Sequence, residues 1–268
     1  MTAEKLVLLA FEDRPAGQIA RVTINNPRKL NAMNSELTRQ FVAVFETLKG
    51  NDALRAVVLT GAGPRAFVGG ADIAEMGGIE TPAQARAFIT RVHLCCDAVR
   101  VCAVPVIARI QGFCFGAGME LAAACDLRVA AESASFGMQE VKLGIPSVIE
   151  AALLPSLVGW GRTREMLLLG ETFSARSAMD YHLIERIVPD DALDAAVEDW
   201  LGKLLTSAPK AVRLQKTLMR RWEKLPLAEA IQAGIDCFAS AFDTDEPQRA
   251  LGHFLAEAAV RKAEKNNV

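Results

Sequence analysis

The residues best placed to do chemistry are two glutamates, each set among apolar neighbours close to glycine. Glu120 ends the run Gly112-Phe-Cys-Phe-Gly-Ala-Gly-Met-Glu120, which follows the strand-like Pro105-Val-Ile-Ala-Arg-Ile110 and opens an Ala-rich helical stretch near Gly118. Glycines at a strand-to-helix junction let the backbone approach a ligand closely, and the first helical turn presents N–H groups that have no intrahelical acceptor. With the positive end of the helix dipole behind them, these N–H groups suit a developing oxyanion. Glu120 lies three residues beyond Ala117, in that same first turn, where a carboxylate can stand beside the carbon next to a polarised carbonyl. The plainer reading of the same residues is a first-turn acid that only complements the dipole. Glu140, in Ser133-Ala-Ser-Phe-Gly-Met-Gln-Glu-Val-Lys-Leu-Gly144, has Met138, Val141 and Leu143 about it. An acid in apolar company holds its proton to higher pH and can carry one at neutrality, whereas a surface loop glutamate would do neither.

A second glycine turn, Gly61-Ala-Gly-Pro-Arg-Ala-Phe-Val-Gly-Gly-Ala-Asp72, follows the buried-strand pattern Ala56-Val-Val-Leu-Thr60. Its Gly61, Gly63 and Ala66 fit a relaxed dinucleotide fingerprint. That fingerprint requires a helix to start in the same loop and take the pyrophosphate on its N-terminus, and Pro64 and Phe67-Val-Gly-Gly70 break such a helix.

The elements that must position these groups alternate along the chain. Residues 18–24, 56–60, 105–110 and 127–130 have strand patterns, and 35–49 and 82–101 are among the helical ones. This alternation predicts an α/β fold. After Pro189 the strand patterns stop, and helices are predicted over 191–206, 209–223, 227–242 and from Glu246 onward. The apolar stripes of this tail, Leu251, Phe254 and Leu255 among them, are expected to pack on the rest of the chain or on another subunit.

Composition narrows the function classes. With 268 residues, 51% of them hydrophobic, the chain can bury a substantial core. A formal charge of -2, from 30 Lys+Arg against 32 Asp+Glu, disfavours nucleic acid as the main partner. Residues 6–11 form an early apolar run with neither a basic lead nor a cleavage site, so they read as a strand. No apolar stretch approaches the ~18 residues of a membrane helix, so a soluble, cytoplasmic protein is expected. The six cysteines (Cys95, Cys96, Cys102, Cys114, Cys125, Cys237) form no CxxC pair and the three histidines (His93, His182, His253) no HExxH. Buried free thiols in a reducing compartment are expected, with no metal site and no catalytic cysteine.

The runs Asn26-Pro-Arg-Lys-Leu-Asn-Ala-Met33, Arg65-Ala-Phe-Val-Gly-Gly-Ala-Asp72, the whole of residues 105–126, and Phe136-Gly-Met-Gln-Glu-Val-Lys-Leu-Gly144 resemble the crotonase, or enoyl-CoA hydratase, family. Gly170-Glu-Thr-Phe-Ser-Ala-Arg-Ser-Ala-Met179 and Leu183-Ile-Glu-Arg-Ile-Val-Pro189 do so too, in the same order. The resemblance implies a spiral of ββα units over residues 1–189 that carries a CoA thioester site. It also implies a helical region, 190–268, that joins subunits into a homotrimer or a dimer of trimers. It places an oxyanion hole at the backbone N–H groups of Ala71 and Ala117, and the two hydratase glutamates at Glu120 and Glu140. Coenzyme A, carried as part of the substrate with no permanently bound cofactor, would lie along Arg28 and Lys29 at its phosphates and along Gly69, Ala71, Asp72, Ile73, Ala74 and Ala117. The implied reaction is addition of water across the 2,3 double bond of an acyl-CoA.

One segment departs from the family. Where a glycine-rich stretch is usual, the chain reads Gly144-Ile-Pro-Ser-Val-Ile-Glu-Ala-Ala-Leu153, with no glycine from Ser147 to Val158 and an added acid, Glu150. The segment flanks the water and acyl site in the family, so Glu150 is expected to bear on substrate preference. Two readings compete with hydration: an isomerase or hydrolase on a specialised acyl-CoA within the same fold, and an RNA-binding relative, which the near-zero net charge disfavours.

Overall fold

The computed structural model describes residues 4–266. In chain order its strands and helices are β1 (Val7–Arg14), β2 (Gly17–Ile24), α1 (Ser35–Leu48), β3 (Leu54–Gly61), β4 (Ala66–Val68), α2 (Ile73–Met76), α3 (Pro82–Val101), β5 (Val106–Ile110), β6 (Phe113–Phe115), α4 (Ala117–Ala124), β7 (Leu127–Ala131), β8 (Ser135–Gly137), α5 (Leu154–Leu169), β9 (Thr172–Ser174), α6 (Ala175–Asp180), β10 (Arg186–Val188) and α7 (Leu193–Thr206). Three further helices follow: α8 (Pro209–Trp222), α9 (Leu227–Ala241) and α10 (Glu246–Asn266).

Residues 54–59 of β3 are all buried, so this strand needs cover on both faces and partners on both edges. It has β2 and β5 as parallel neighbours within a sheet ordered β1-β2-β3-β5-β7-β10, in which only the β1–β2 hairpin is antiparallel. A second sheet runs β4-β6-β8-β9. The chain visits the two sheets in turn, β3 then β4, β5 then β6, β7 then β8, with α2 and α3 after the first pair and α4 after the second. This is the expected spiral of ββα units.

Helix starts follow local chemistry. Asn34 accepts from Leu37 N–H at the head of α1, and Thr81 with Gln84 forms a capping box at the head of α3, with Pro82 in the first turn. On α1 the buried residues Leu37, Phe41, Phe45 and Leu48 recur at helical spacing, and the rings of Phe41 and Phe45 stack at 4.8 Å. α4 differs: all eight of its residues are buried. Small side chains make this possible, because a Cβ added at Gly118 would lie 2.2 Å from the Val68 carbonyl oxygen on β4. The helix therefore packs with its backbone almost against the second sheet.

The chain divides into two compact units, Met1–Gly202 and Lys203–Val268. The division falls inside α7, later than the expected boundary at 189/190. The reason is that β10 pairs with β7, and the first nine residues of α7 include the buried Leu193, Ala196, Val197 and Leu201. In the second unit α9 leaves Leu227, Ile231, Ile235 and Phe238 exposed.

A buried amide secures the turns that precede the site. Asn31, fully buried with φ 57°, donates through Nδ2 to the carbonyls of Ala62 (3.0 Å) and Ala66 (2.8 Å) and accepts from Asn26 N–H (3.0 Å). Asn31→Ala would strand these groups and put alanine at a positive φ. The expected loss is about 2–4 kcal/mol of stability, read as a lower urea midpoint with an unchanged m value.

Candidate active site

β4, β6 and β8 are adjacent and parallel, so their C-terminal ends open on one edge of the second sheet. Ligand sites in parallel sheets collect at such ends, where successive loops diverge. Each loop here carries part of the proposed chemistry: Gly69-Gly70-Ala71-Asp72 follows β4, Gly116-Ala117 follows β6, and Met138-Gln139-Glu140 follows β8.

The first loop crosses residues 30–33 through three backbone bonds: Gly69 N–H to Leu30 O (2.8 Å), Met33 N–H to Gly70 O (2.9 Å) and Asp72 N–H to Met33 O (3.0 Å). This parallel bridge uses the groups on either side of Ala71 and turns the Ala71 N–H away from Met33. Asp72 fixes the loop from the other side. Its Oδ1 accepts from Ala74 and Glu75 N–H at the head of α2, and its Oδ2 pairs with Lys29 Nζ at 2.8 Å. That ion pair, with the two amides, holds the Asp72 carboxyl below its usual range.

The second loop turns on Gly116, at φ 50° and ψ −119°, whose N–H donates to Gly137 O (2.9 Å) and whose carbonyl accepts from Met119 and Glu120 N–H. Ala117 is the first residue of α4, so its N–H has no intrahelical acceptor. Among the described residues, neither the Ala71 nor the Ala117 N–H meets an acceptor.

Glu120 and Glu140 reach this edge by different routes. Glu140 follows β8 in the 3-10 turn Glu140–Leu143, and a Cβ at Gly116 would stand 2.5 Å from its Oε1. The carboxylate thus lies against the start of α4, and Ser147 Oγ donates to its Oε2 at 2.8 Å. Glu120 projects from α4 and is only 4% exposed; its Oε1 accepts from Ala151 N–H at 3.1 Å. Burial pushes its pKa up to about 8, the charges of Glu140 and Glu150 push the same way, and the Ala151 amide opposes them. Below about pH 8, Glu120 carries a proton.

Ser147 and Ala151 each contact one of the acids and stand on the wall of a cavity. A cavity of about 560 Å³ is lined by Ser147, Ile149, Ala151, Ala152, Trp160 and Leu167 among others, so it shares Ser147 with Glu140 and Ala151 with Glu120. Glu150 is not on that wall. Its side chain turns toward α3, where Oε1 lies 2.9 Å from His93 Nδ1.

Of the residues expected at the site, Ala71, Ala117, Glu120 and Glu140 are brought together at one sheet edge. Gly69, Asp72, Ile73 and Ala74 continue the first loop, with Ile73 63% exposed, and Arg28 and Lys29 occupy the exposed turn Pro27–Lys29. Asp72 and Lys29 are engaged with each other. Sequence reasoning missed Ser147, which meets Glu140 seven residues away across a 3-10 turn, and the Ala151 amide and His93, whose contacts join residues 31 and 57 apart.

The family model described as "Enoyl-CoA hydratase/isomerase" matches residues 14–262. The chain is similar to a short-chain-enoyl-CoA hydratase of Clostridium acetobutylicum, 32% identical over 91% of this chain and 94% of that one. It is also similar to a crotonyl-CoA hydratase of Syntrophomonas wolfei, 31% identical over 89% and 92%. The crystal structure of an enoyl-CoA hydratase from Mycobacterium smegmatis superposes with a TM-score of 0.90 at 28% identity, covering 95% of this chain and 97% of that one. The strand order, the paired glycine turns and these matches agree: the chain belongs to the enoyl-CoA hydratase/isomerase family, with the crotonase fold.

Proposed function

We propose that this protein hydrates the 2,3 double bond of an acyl-CoA thioester, with Glu120 and Glu140 as its acid–base pair and the N–H groups of Ala71 and Ala117 as its oxyanion hole. Similarity to enoyl-CoA hydratases supports the reaction class. The observation that carries the rest is the convergence of two acids and two acceptor-free amides at three adjacent strand ends. The thioester oxygen lies between the two amides. As the water oxygen bonds to Cβ, the π electrons shift toward Cα and the thioester, and the amides take up the enolate charge. Glu140, held by Ser147, removes the water proton, and Glu120 gives its proton to Cα. Transfer of the proton from Glu140 back to Glu120 restores the pair.

The CoA phosphates would meet Arg28, and Lys29 where it can leave Asp72, with the adenine and pantetheine along the loop from Gly69 to Ala74. Coenzyme A enters only as part of the substrate. The exposed apolar residues of α9 support association between subunits, and the resemblance supplies the expected homotrimer or dimer of trimers. No helix among the described residues is long and apolar enough to cross a membrane.

Crotonyl-CoA hydration, followed beside double-bond migration and thioester cleavage, tests the reaction. Glu120→Gln and Glu140→Gln should each lower hydration by roughly 10²–10⁴-fold while acyl-CoA binding persists. Isomerisation that survives either change, or cleavage that outruns hydration in the wild type, would reassign the reaction.

Ala117→Pro tests the amide. Proline is accepted at a first helical position, so the folded variant loses one donor and should turn over roughly 10²-fold more slowly.

The raised pKa of Glu120 has two consequences of known sign. Hydration should fall as pH rises through about 8, where the proton is lost. Between the ordinary glutamate value of 4.5 and about 8, the folded chain binds more protons at this residue than the unfolded chain, so the stability contributed by Glu120 falls with rising pH. Glu120→Gln should therefore be increasingly more stable than wild type as pH rises through this window. Unfolding curves at both ends of the window measure the difference.

A further inference from the structure

Glu150 is a third acid near the pair, and hydration as described leaves it without a role. Its side chain is 8% exposed; Oε1 meets His93 Nδ1 at 2.9 Å, and Oε2 is buried with no hydrogen-bond partner. His93, on α3, is 46% exposed. The Cys96 thiol is fully buried, and is pushed up by burial first and then by the charges of Glu150 and Glu120.

Backbone connects Glu150 to the chemistry. The next residue, Ala151, donates its N–H to Glu120 Oε1 at 3.1 Å and to Val148 O at 2.9 Å. The 3-10 turn that presents this amide, Ile149–Leu153, begins in an unfavourable state, with the β-branched Ile149 at φ 40°. Such a residue enters this region only where its surroundings impose it. Two attachments do so here: Ile149 packs against the core, and Glu150 is tied to α3 through His93. Glu120 Oε2 has no partner among the described residues, so the amide on Oε1 sets which oxygen is left for the substrate.

We propose that Glu150 and His93 form a positioning pair. It anchors the strained turn 149–153 to α3, aims the Ala151 N–H at Glu120 Oε1, and so orients the carboxyl group that exchanges a proton with the substrate. The proposal rests on Glu120 acting in hydration. It also gives Glu150 a task other than contact with the acyl chain, since its carboxyl is engaged with His93 on α3.

Crotonyl-CoA hydration by four variants tests the pair. Glu150→Leu keeps bulk and removes the acceptor; kcat should fall roughly 10²-fold, with KM within about threefold of wild type. Glu150→Gln keeps an acceptor for His93 and should restore kcat to within about threefold of wild type. In a Glu120→Gln background, Glu150→Leu should cause no further loss, because the carboxyl it orients is gone. If Glu150→Leu does not fold, His93→Phe, on the exposed member of the pair, carries the same expectations. A folded Glu150→Leu or His93→Phe enzyme with wild-type kcat overturns the proposal, as does a full additional loss in the Glu120→Gln background. Damage from Glu150→Gln equal to that from Glu120→Gln also overturns it, by making Glu150 a proton carrier. Wild-type hydration by Glu120→Gln itself would reject the hydratase reading, an outcome separate from all of these.

Discussion

A carboxyl group on a helix with no solvent-facing side must be neutralised, hydrogen-bonded or both, and Glu120 on α4 meets this constraint with its proton and the Ala151 amide. Much else in the first unit follows. α4 can be buried all round because five of its eight residues are alanine or glycine, and Gly118 lets the backbone come up against β4 at Val68. That contact brings the start of the helix beside the loop leaving β4, so the buried acid and the two free amides occupy one neighbourhood.

Building the proposed oxyanion hole from backbone has a further effect. Ala71 and Ala117 are defined by where their N–H groups point, and those directions are set elsewhere: by the bridge to Met33, by the Asp72 cap with its Lys29 pair, and by the turn at Gly116. A preorganised donor needs no reorientation as charge develops, which is what makes such donors effective. The load of positioning therefore falls on residues that never approach the substrate, such as Asn31 and Gln111. Gln111 donates to the carbonyls of Gly61 (2.6 Å) and Gly63 (3.0 Å), the turn that leads into β4.

Local signals carried most of the fold in the sequence. The strands predicted at 18–24, 56–60 and 127–130 lie within β2, β3 and β7, the one at 105–110 begins one residue before β5, α3 has the predicted limits, and α7 to α10 differ at their ends by no more than a turn. The short strands β4, β6, β8 and β9 were legible only as glycine-rich or polar passages, because three residues are too few to show a period. The candidate site was legible where it draws on local backbone, at Gly116-Ala117-Gly118 and Gly70-Ala71-Asp72, and, through the resemblance, at Glu140. It was not legible where a polar group meets its partner across a turn or a long separation. Ser147 reads as an ordinary replacement for glycine, His93 as one of three scattered histidines, and Glu150 as an acid near the acyl site, although its carboxyl turns to α3.

Gly116 answers to two demands at once. Its backbone occupies a region closed to most side chains, and the space a methyl group would need is taken by the Glu140 carboxylate. Among related chains these demands can separate: where a smaller residue replaces the glutamate the space reopens, while the backbone requirement remains. Glycine at this position is thus a marker of architecture and a poor fingerprint of reaction type. Sorting such proteins by what they catalyse calls for reading the third loop together with the second, since only the pair distinguishes a chain that has the turn from one that also has the acid.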